Sequence, residues 1–240
     1  NKKEKSFLMK DWLKFFGFWV AEGWTTLEEK RGRYGVYIGN KNREVITEIK
    51  KILQNFGYNP HEYLNRQIYT LRISDYQLFI YLKKFGKCWE KFVPQEIKKL
   101  SKDLLGIFLE YYIKGDGHIY GRNKKGLSAT TSSIRLRDDL QEIALKLGMS
   151  AYYKLHKEKG SLFKSPCYDG KRFYKQRNDT WLIYFIRRNI STVMPSTIKK
   201  GKYVEKWDNF ESAREKERII TRFCLLGDVR TYYFYSIYRQ

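Results

Sequence analysis

Two stretches of the chain are apolar around most of their circumference, and each stops on a single acid. In LKFFGFWVAEGW, residues 13–24, Leu13, Phe16, Gly17, Val20 and Ala21 recur at helical spacing before Glu22 and Gly23 end the run. In LLGIFLEYYIKGDGH, residues 104–118, the arrangement returns with Asp116 and Gly117. A helical period in both, closed by glycine, predicts two apolar helices carrying a carboxylate in the last turn. An amphipathic stretch follows each of them. NREVITEIKKILQNFG (42–57) has Val45, Ile46, Ile49, Ile52 and Leu53 on one face. SIRLRDDLQEIALKLG (133–148) has Leu136, Leu140, Ile143, Ala144 and Leu147. Both open on an N-cap residue type, Asn42 or Ser133, and close on a C-cap glycine.

Segments of alternating or aromatic character surround these helices and predict strands. RYGVYIG (33–39) and RQIYTLRI (66–73) belong to the first half of the chain. KGLSATT (125–131), SAYYKLH (150–156) and TWLIYFI (180–186) belong to the second. Each half then reaches a proline landmark, KFVPQEI at 91–97 and TVMPSTI at 192–198. The order of parts therefore repeats, and a repeat is the strongest organisational signal a sequence offers. We read two diverged copies of an α–β–β–α–β–β–α-like unit, an α+β fold, with halves at residues 1–100 and 101–207. Residues 208–240 have no counterpart in the first half; ESAREKERIITRF reads as a charged helix and TYYFYSIYR as an aromatic strand, and we assign them to a C-terminal appendage.

Composition narrows the partner. Among 240 residues, 48 Lys and Arg face 26 Asp and Glu, a net charge of +22. Such an excess repels itself and suits a polyanion, with nucleic acid ahead of an anionic membrane surface. No apolar run approaches the roughly 18 residues of a spanning helix, and the N-terminus has no signal-peptide layout. Cys88, Cys167 and Cys224 are too scattered for a zinc pattern or a disulfide framework, which points to an intracellular protein, cytoplasmic or organellar.

The two acids stand out against that charge. A carboxylate in the last turn of a helix sits at the end that already carries partial negative charge. Two such helices side by side would bring Glu22 and Asp116 together and compound the repulsion. A divalent cation would remove that penalty, and hard oxygen ligands select Mg²⁺ or a similar ion such as Mn²⁺ or Ca²⁺. Metal so placed supports phosphodiester hydrolysis. Either site alone is more simply a solvated helix end; the pair, at matching places of a repeat in a strongly basic chain, favours the metal.

FFGFWVAEG (15–23) and LEYYIKGDG (109–117), with the repeat and the prolines, resemble the LAGLIDADG homing endonucleases in their double-motif, single-chain form, of intein or intron type. The resemblance covers roughly residues 8–200. It implies that the motif helices pack together at the centre, that Glu22 and Asp116 ligate metal, and that each half lays a curved antiparallel sheet along duplex DNA. It implies cleavage of both strands of a long pseudo-palindromic duplex site by a monomer. Lys91, in KFVP, matches a family lysine held to assist catalysis near the scissile phosphate. Two positions depart from the family: Thr192 in TVMP replaces the second lysine, where Lys199 or Lys200 would have to serve, and Tyr111 stands where motif one has Gly17.

Alternation in RQIYTLRI turns Tyr69, Leu71 and Ile73 inward, leaving Arg66, Ile68, Thr70 and Arg72 toward DNA. Thr130, Ser132, Tyr152, Lys154 and His156 are the comparable residues of the second half. Arg31, Arg33, Arg122, Lys124, Lys125, Lys171, Arg172, Lys175 and Arg177 fall in or beside loops suited to phosphate contacts. His118 follows the second motif, but motif one has Trp24 there, so symmetry gives it no general-base role. The alternatives are an RNA maturase of the same fold and a DNA-binding protein that has lost cleavage.

Overall fold

The structure, a computed structural model, describes residues 5–120, 126–164 and 173–186. The first half runs α1 (Met9–Glu22), β1 (Gly23–Glu28), β2 (Arg33–Asn40), α2 (Arg43–Asn55), β3 (His61–Asn65), β4 (Ile68–Ile73) and α3 (Tyr76–Lys83). A short helix, α4 (Gln95–Lys98), leads into the second half. That half runs α5 (Lys102–Asp116), β5 (Gly117–Tyr120), β6 (Gly126–Thr131), α6 (Ile134–Lys146), β7 (Ser150–Lys157), β8 (Leu162–Lys164), β9 (Phe173–Lys175) and β10 (Thr180–Ile186).

Each half builds a four-stranded antiparallel sheet of the same connectivity, β1-β2-β4-β3 in one and β5-β6-β10-β7 in the other. The registers correspond as well. Gly23 pairs with Ile38 as Gly117 pairs with Ala129, so both sheets leave their acid helix at the same step. Strands β8 and β9 form a separate hairpin in the second half. The amphipathic helices have the caps their sequences call for: the Asn42 side chain accepts from the Glu44 N–H, and that of Ser133 from Leu136. Both then end on left-handed glycines, Gly57 (φ 77°) and Gly148 (φ 79°).

The segment 66–73 is not one strand. Arg66 (φ 49°) and Gln67 (φ 69°) form a tight turn between β3 and β4, the pair of positive φ values that a two-residue hairpin needs. Arg66 therefore lies at an exposed tip and not on the strand face where alternation placed it. The rest of the alternation holds: Leu71 and Ile73 are buried and Tyr69 packs on the core.

Helices α1 and α5 cross at the centre of the molecule, between the two sheets' α2 and α6. Leu13, Phe15, Phe16, Phe18, Trp19 and Phe108 are fully buried there. Their approach depends on two glycines. A Cβ on Gly17 would stand 2.5 Å from the Phe108 carbonyl oxygen, and one on Gly115 would stand 2.5 Å from the Ala21 Cβ. Tyr111, in the place that corresponds to Gly17, does not obstruct the crossing. Its buried ring turns toward α2, where the phenol donates a hydrogen bond to Glu48, and the Lys114 ammonium lies 3.9 Å from the ring centroid. Burial and Glu48 push the phenol up to about 12.

We expect Gly17→Ala to lose about 1–3 kcal/mol of stability, because backbone must move to admit one methyl group. Gly106→Ala on the same helix pair has its nearest neighbour 3.9 Å away, and should gain up to about 1 kcal/mol from helix propensity. Denaturant midpoints compare the two, and equal midpoints would sink the close-crossing account.

Candidate metal and nucleic-acid site

The first residue past each crossing helix is a glycine that starts a strand, so Glu22 and Asp116 stand where the helix pair opens onto both sheets. A Cβ on Gly115 would lie 3.0 Å from Glu22 Cγ, so the backbone one residue before Asp116 rests against the Glu22 side chain. Both carboxyls are half-buried. Burial raises Glu22 above the usual carboxylate range, opposed by a hydrogen bond from Asn40 Nδ2 at 2.7 Å and by the charge of Lys91. Burial, with the nearby charge of Glu22 added, holds Asp116 up at about 7, again opposed by Lys91. The sequence thus brings two acids to one place and makes each harder to ionise there.

Lys91 joins them from the stretch before α4. It is 3% exposed, and Nζ donates to the carbonyl oxygens of Trp19 (3.0 Å), Val20 (2.8 Å) and Gly23 (2.7 Å). The Trp19 ring lies beneath it, 4.8 Å to the centroid. All three ammonium protons are therefore spent on the C-terminal end of α1, whose own last turn carries no basic residue. A cation at that end offsets the negative pole of the helix and steadies both acids through space. Burial lowers Lys91 to about 8, while Asp116 and Glu22 work to keep it charged. Its backbone is fixed from the second half, since Ser133 Oγ donates to the Lys91 carbonyl at 2.6 Å. The structure thus places Lys91 at the end of α1, bound to its last carbonyls and felt by both acids through its charge.

Among the described residues no cluster of three or more His, Cys, Asp and Glu side chains could hold a metal. The donors that converge are two carboxylates. Their raised proton affinity is what an ion would relieve, and an all-oxygen pair with open positions fits a hard divalent cation completed by water or phosphate oxygens. Carboxylates so arranged, with a buried ammonium behind them, can hold a cation against a polyanion and cannot by themselves hold an anion.

The outward faces of the two sheets extend from this centre. In the first, Trp24, Tyr37, Arg72 and His61 form one row across β1, β2, β4 and β3. In the second, His118, Ser128, Tyr184 and Tyr152 occupy the matching row. Lys154 and His156 are exposed on the face of Tyr152, and Thr130 is half-buried on the face of Ser128. Arg31 and Arg33 are exposed near the end of the β1–β2 hairpin, where Arg31 pairs with Glu28 at 3.8 Å. Lys175 and Arg177 are exposed on and after β9.

Two expected readers are placed differently. Thr70 is only 4% exposed, closed over where the side chains of Ile68 and Trp24 converge with it above Gly39. Ser132 lies past the end of β6, in the bend before α6, and is on no strand face. Arg122, Lys124, Lys125, Lys171, Arg172, Thr192, Lys199, Lys200 and the segment 208–240 lie outside the described residues. Asn40, which holds Glu22, and Glu48, which takes the Tyr111 phenol, were not singled out from the sequence. Each meets its partner across non-adjacent elements, and no local pattern marks such a pair.

Comparison with known proteins agrees with this architecture. The family model described as a LAGLIDADG-like domain matches residues 13–86 and 103–193. The chain is similar to the DNA-directed RNA polymerase subunit beta C-terminal section of Stigeoclonium helveticum, 29% identical over 239 residues, covering 83% of this chain and 21% of that protein. It is also similar to the uncharacterized protein MJ1054 of Methanocaldococcus jannaschii, 25% identical over 219 residues, covering 86% of this chain and 22% of that protein. The chain thus corresponds to a minor part of the length of each relative. Among solved structures, that of I-DmoI in complex with DNA and Mn superposes with a TM-score of 0.53 at 13% identity, covering 74% of this chain and 89% of that one. I-DmoI in complex with DNA and Ca gives 0.50 at 12% identity, covering 75% and 84%. At such identities the likeness speaks for the fold.

Proposed function

Since the chain belongs to the LAGLIDADG-like domain family, we propose that it is a site-specific DNA endonuclease that hydrolyses both strands of a long duplex target, using a divalent cation held by Glu22 and Asp116. The observation that carries the proposal is the convergence of these two acids at the ends of crossed helices, one from each half, in a chain of net charge +22. Nothing in the packing of a basic protein calls for two mutually repelling carboxylates at its centre. A polyanion with its metal does.

The proposed division of labour follows the geometry. Glu22 and Asp116 hold the cation, which when bound would supply an activated water and charge stabilisation at the phosphate. Asn40 fixes the rotamer of Glu22 through its hydrogen bond, and Lys91 keeps both carboxyls within reach of ionisation at neutral pH. Buried as it is, Lys91 acts through the acids and the α1 carbonyls. The two sheets lie along the major groove, placing one half-site on each side of the acids, and both halves lie in one chain, so a monomer suffices for a pseudo-palindromic site. The I-DmoI complexes with Mn and with Ca agree with a hard-cation site, and we infer Mg²⁺, or Mn²⁺ in its place. No helix among the described residues is long and apolar enough to cross a membrane. We also infer carriage by an intron or intein and action inside the cell.

The test is incubation of the chain with a randomised duplex library, with Mg²⁺ and with EDTA, followed by sequencing of ends. We expect cuts at one enriched sequence that require the metal, and binding that weakens steeply with salt through counterion release. Specific, salt-sensitive binding without cuts in either metal condition would refute the nuclease and leave a binding protein of this fold.

A further inference from the structure

Arg72, on the outward face of the first sheet, has a buried polar atom that the protein does not satisfy. Arg72 sits on β4, an interior strand flanked by β2 and β3. Its guanidinium carbon lies 5.9 Å from the centroid of the Tyr37 ring, which is itself stacked on Trp24 at 5.4 Å and 7°. Its Nε is buried and has no hydrogen-bond partner, and among the described residues Arg72 joins no ion pair. Acids are scarce around it: Glu62, on the next strand, is turned to the helix side and held by Lys50 at 2.8 Å. Nε is closed in, and the terminal nitrogens likewise have no acceptor among the described residues; a guanidinium fork steered by aromatic rings and left so suits an acceptor pair that arrives with a ligand.

The position decides which ligand group that is. Arg72 is in the same row as Trp24, two residues beyond Glu22, and it faces outward from the middle of the sheet. Phosphates of a duplex lying along such a sheet meet its edges and loops, while its interior strands face base edges. Among base edges, a guanine offers O6 and N7 side by side, the acceptor pair that fits a guanidinium fork. The corresponding place in the second sheet is taken by Tyr184, across from Ser128 as Arg72 is across from Tyr37. Tyr184 is stacked on Tyr152 at 4.9 Å, edge-on to Tyr120 at 5.7 Å, with the Lys154 ammonium 5.3 Å from its ring. It has no fork to offer.

We propose that Arg72 reads a guanine in the half-site bound by the first sheet, and that Tyr184 leaves the mirrored position of the second half-site without that demand. The target is thus asymmetric at this base pair although the protein is built from a repeat. This assignment rests on the duplex-DNA reading above.

The experiment is selection of bound duplexes from a randomised pool in EDTA, so that binding is read without cleavage, using the full chain and its Arg72→Ala, Arg72→Lys and Tyr184→Phe forms. The parent should enrich a sequence with guanine fixed at a position whose mirror is free. Arg72→Lys keeps the charge but not the fork; it should retain the salt dependence and the rest of the consensus while its preference for guanine there falls roughly 10- to 100-fold. Arg72→Ala should lose the same preference, and Tyr184→Phe should lose none. Guanine retained in the Arg72→Ala consensus, or a uniform loss of affinity with no change at any one position, would overturn the assignment and leave the endonuclease reading intact. A parent chain that enriches no duplex would overturn both.

Discussion

We expect Glu22→Gln combined with Asp116→Asn to abolish strand cleavage, by roughly 10³-fold or more, and to leave duplex binding intact. The substitutions conserve shape, so the helix crossing at Gly17 and Gly115 is undisturbed and the sheets keep their places. What they remove is the pair of charges proposed to hold the cation. A single preorganised electrostatic contact is worth about 10²–10³ in rate, and here the metal's whole anchorage goes. The variant should bind its target in EDTA at least as tightly as the parent, since whatever negative charge the metal-free acids carry toward the polyanion has been deleted. Single-turnover cleavage of a plasmid carrying the selected site, with filter binding on the same fragment, measures both quantities. A double variant that still cuts within tenfold of the parent would remove Glu22 and Asp116 from the reaction.

That these two acids could be named without coordinates, while their support could not, has a physical reason. Glu22 and Asp116 are marked by a local contradiction, an acid on the negative end of an apolar helix, repeated at matching places. The paired sheets were legible for the same kind of reason: period-2 strands and capped helices recur in the same order. β3 and the turn at Arg66 and Gln67 were missed because RQIYTLRI alternates through the turn and hides it. Thr70 was assigned to the DNA face by parity, and parity is right; it is closed over where Ile68 and Trp24, the latter three strands earlier in the chain and two strands away in the sheet, converge with it above Gly39. The role of Lys91 is likewise tertiary. KFVP announces a lysine, but only the fold shows its three protons spent on the carbonyls of Trp19, Val20 and Gly23. Tyr111 departs from Gly17 in the sequence, and only the fold shows where its bulk goes, to a phenol bound to Glu48 of α2.

We expect the metal-free chain to lose stability as pH rises from about 4 to 7, by about 2–4 kcal/mol, and Asp116→Asn to remove most of that slope. An unfolded aspartate ionises near its ordinary value of about 3.9, whereas burial and Glu22 hold the folded group at about 7. Between those values the folded state keeps a proton that the unfolded state has released. Stability then falls with pH across that window, being fully present below the unfolded value and lost above the folded one. Glu22, also raised, adds to the slope in the same direction. Two other shifted groups stay out of the window. Lys91, lowered to about 8, is charged in both states below that pH, and Glu142, lowered by its lysine partners, matters only below its ordinary carboxylate range. Denaturant unfolding in EDTA at a series of pH values measures the slope, and the same series with Mg²⁺ should flatten it for the parent, because the cation replaces the proton. Asp116→Asn should be the more stable protein at pH 8 without metal and should gain less from Mg²⁺. A parent whose stability is level from pH 5 to 8, or a variant with the parent's slope, would show that the acids do not meet at the end of the crossed helices as the structure places them.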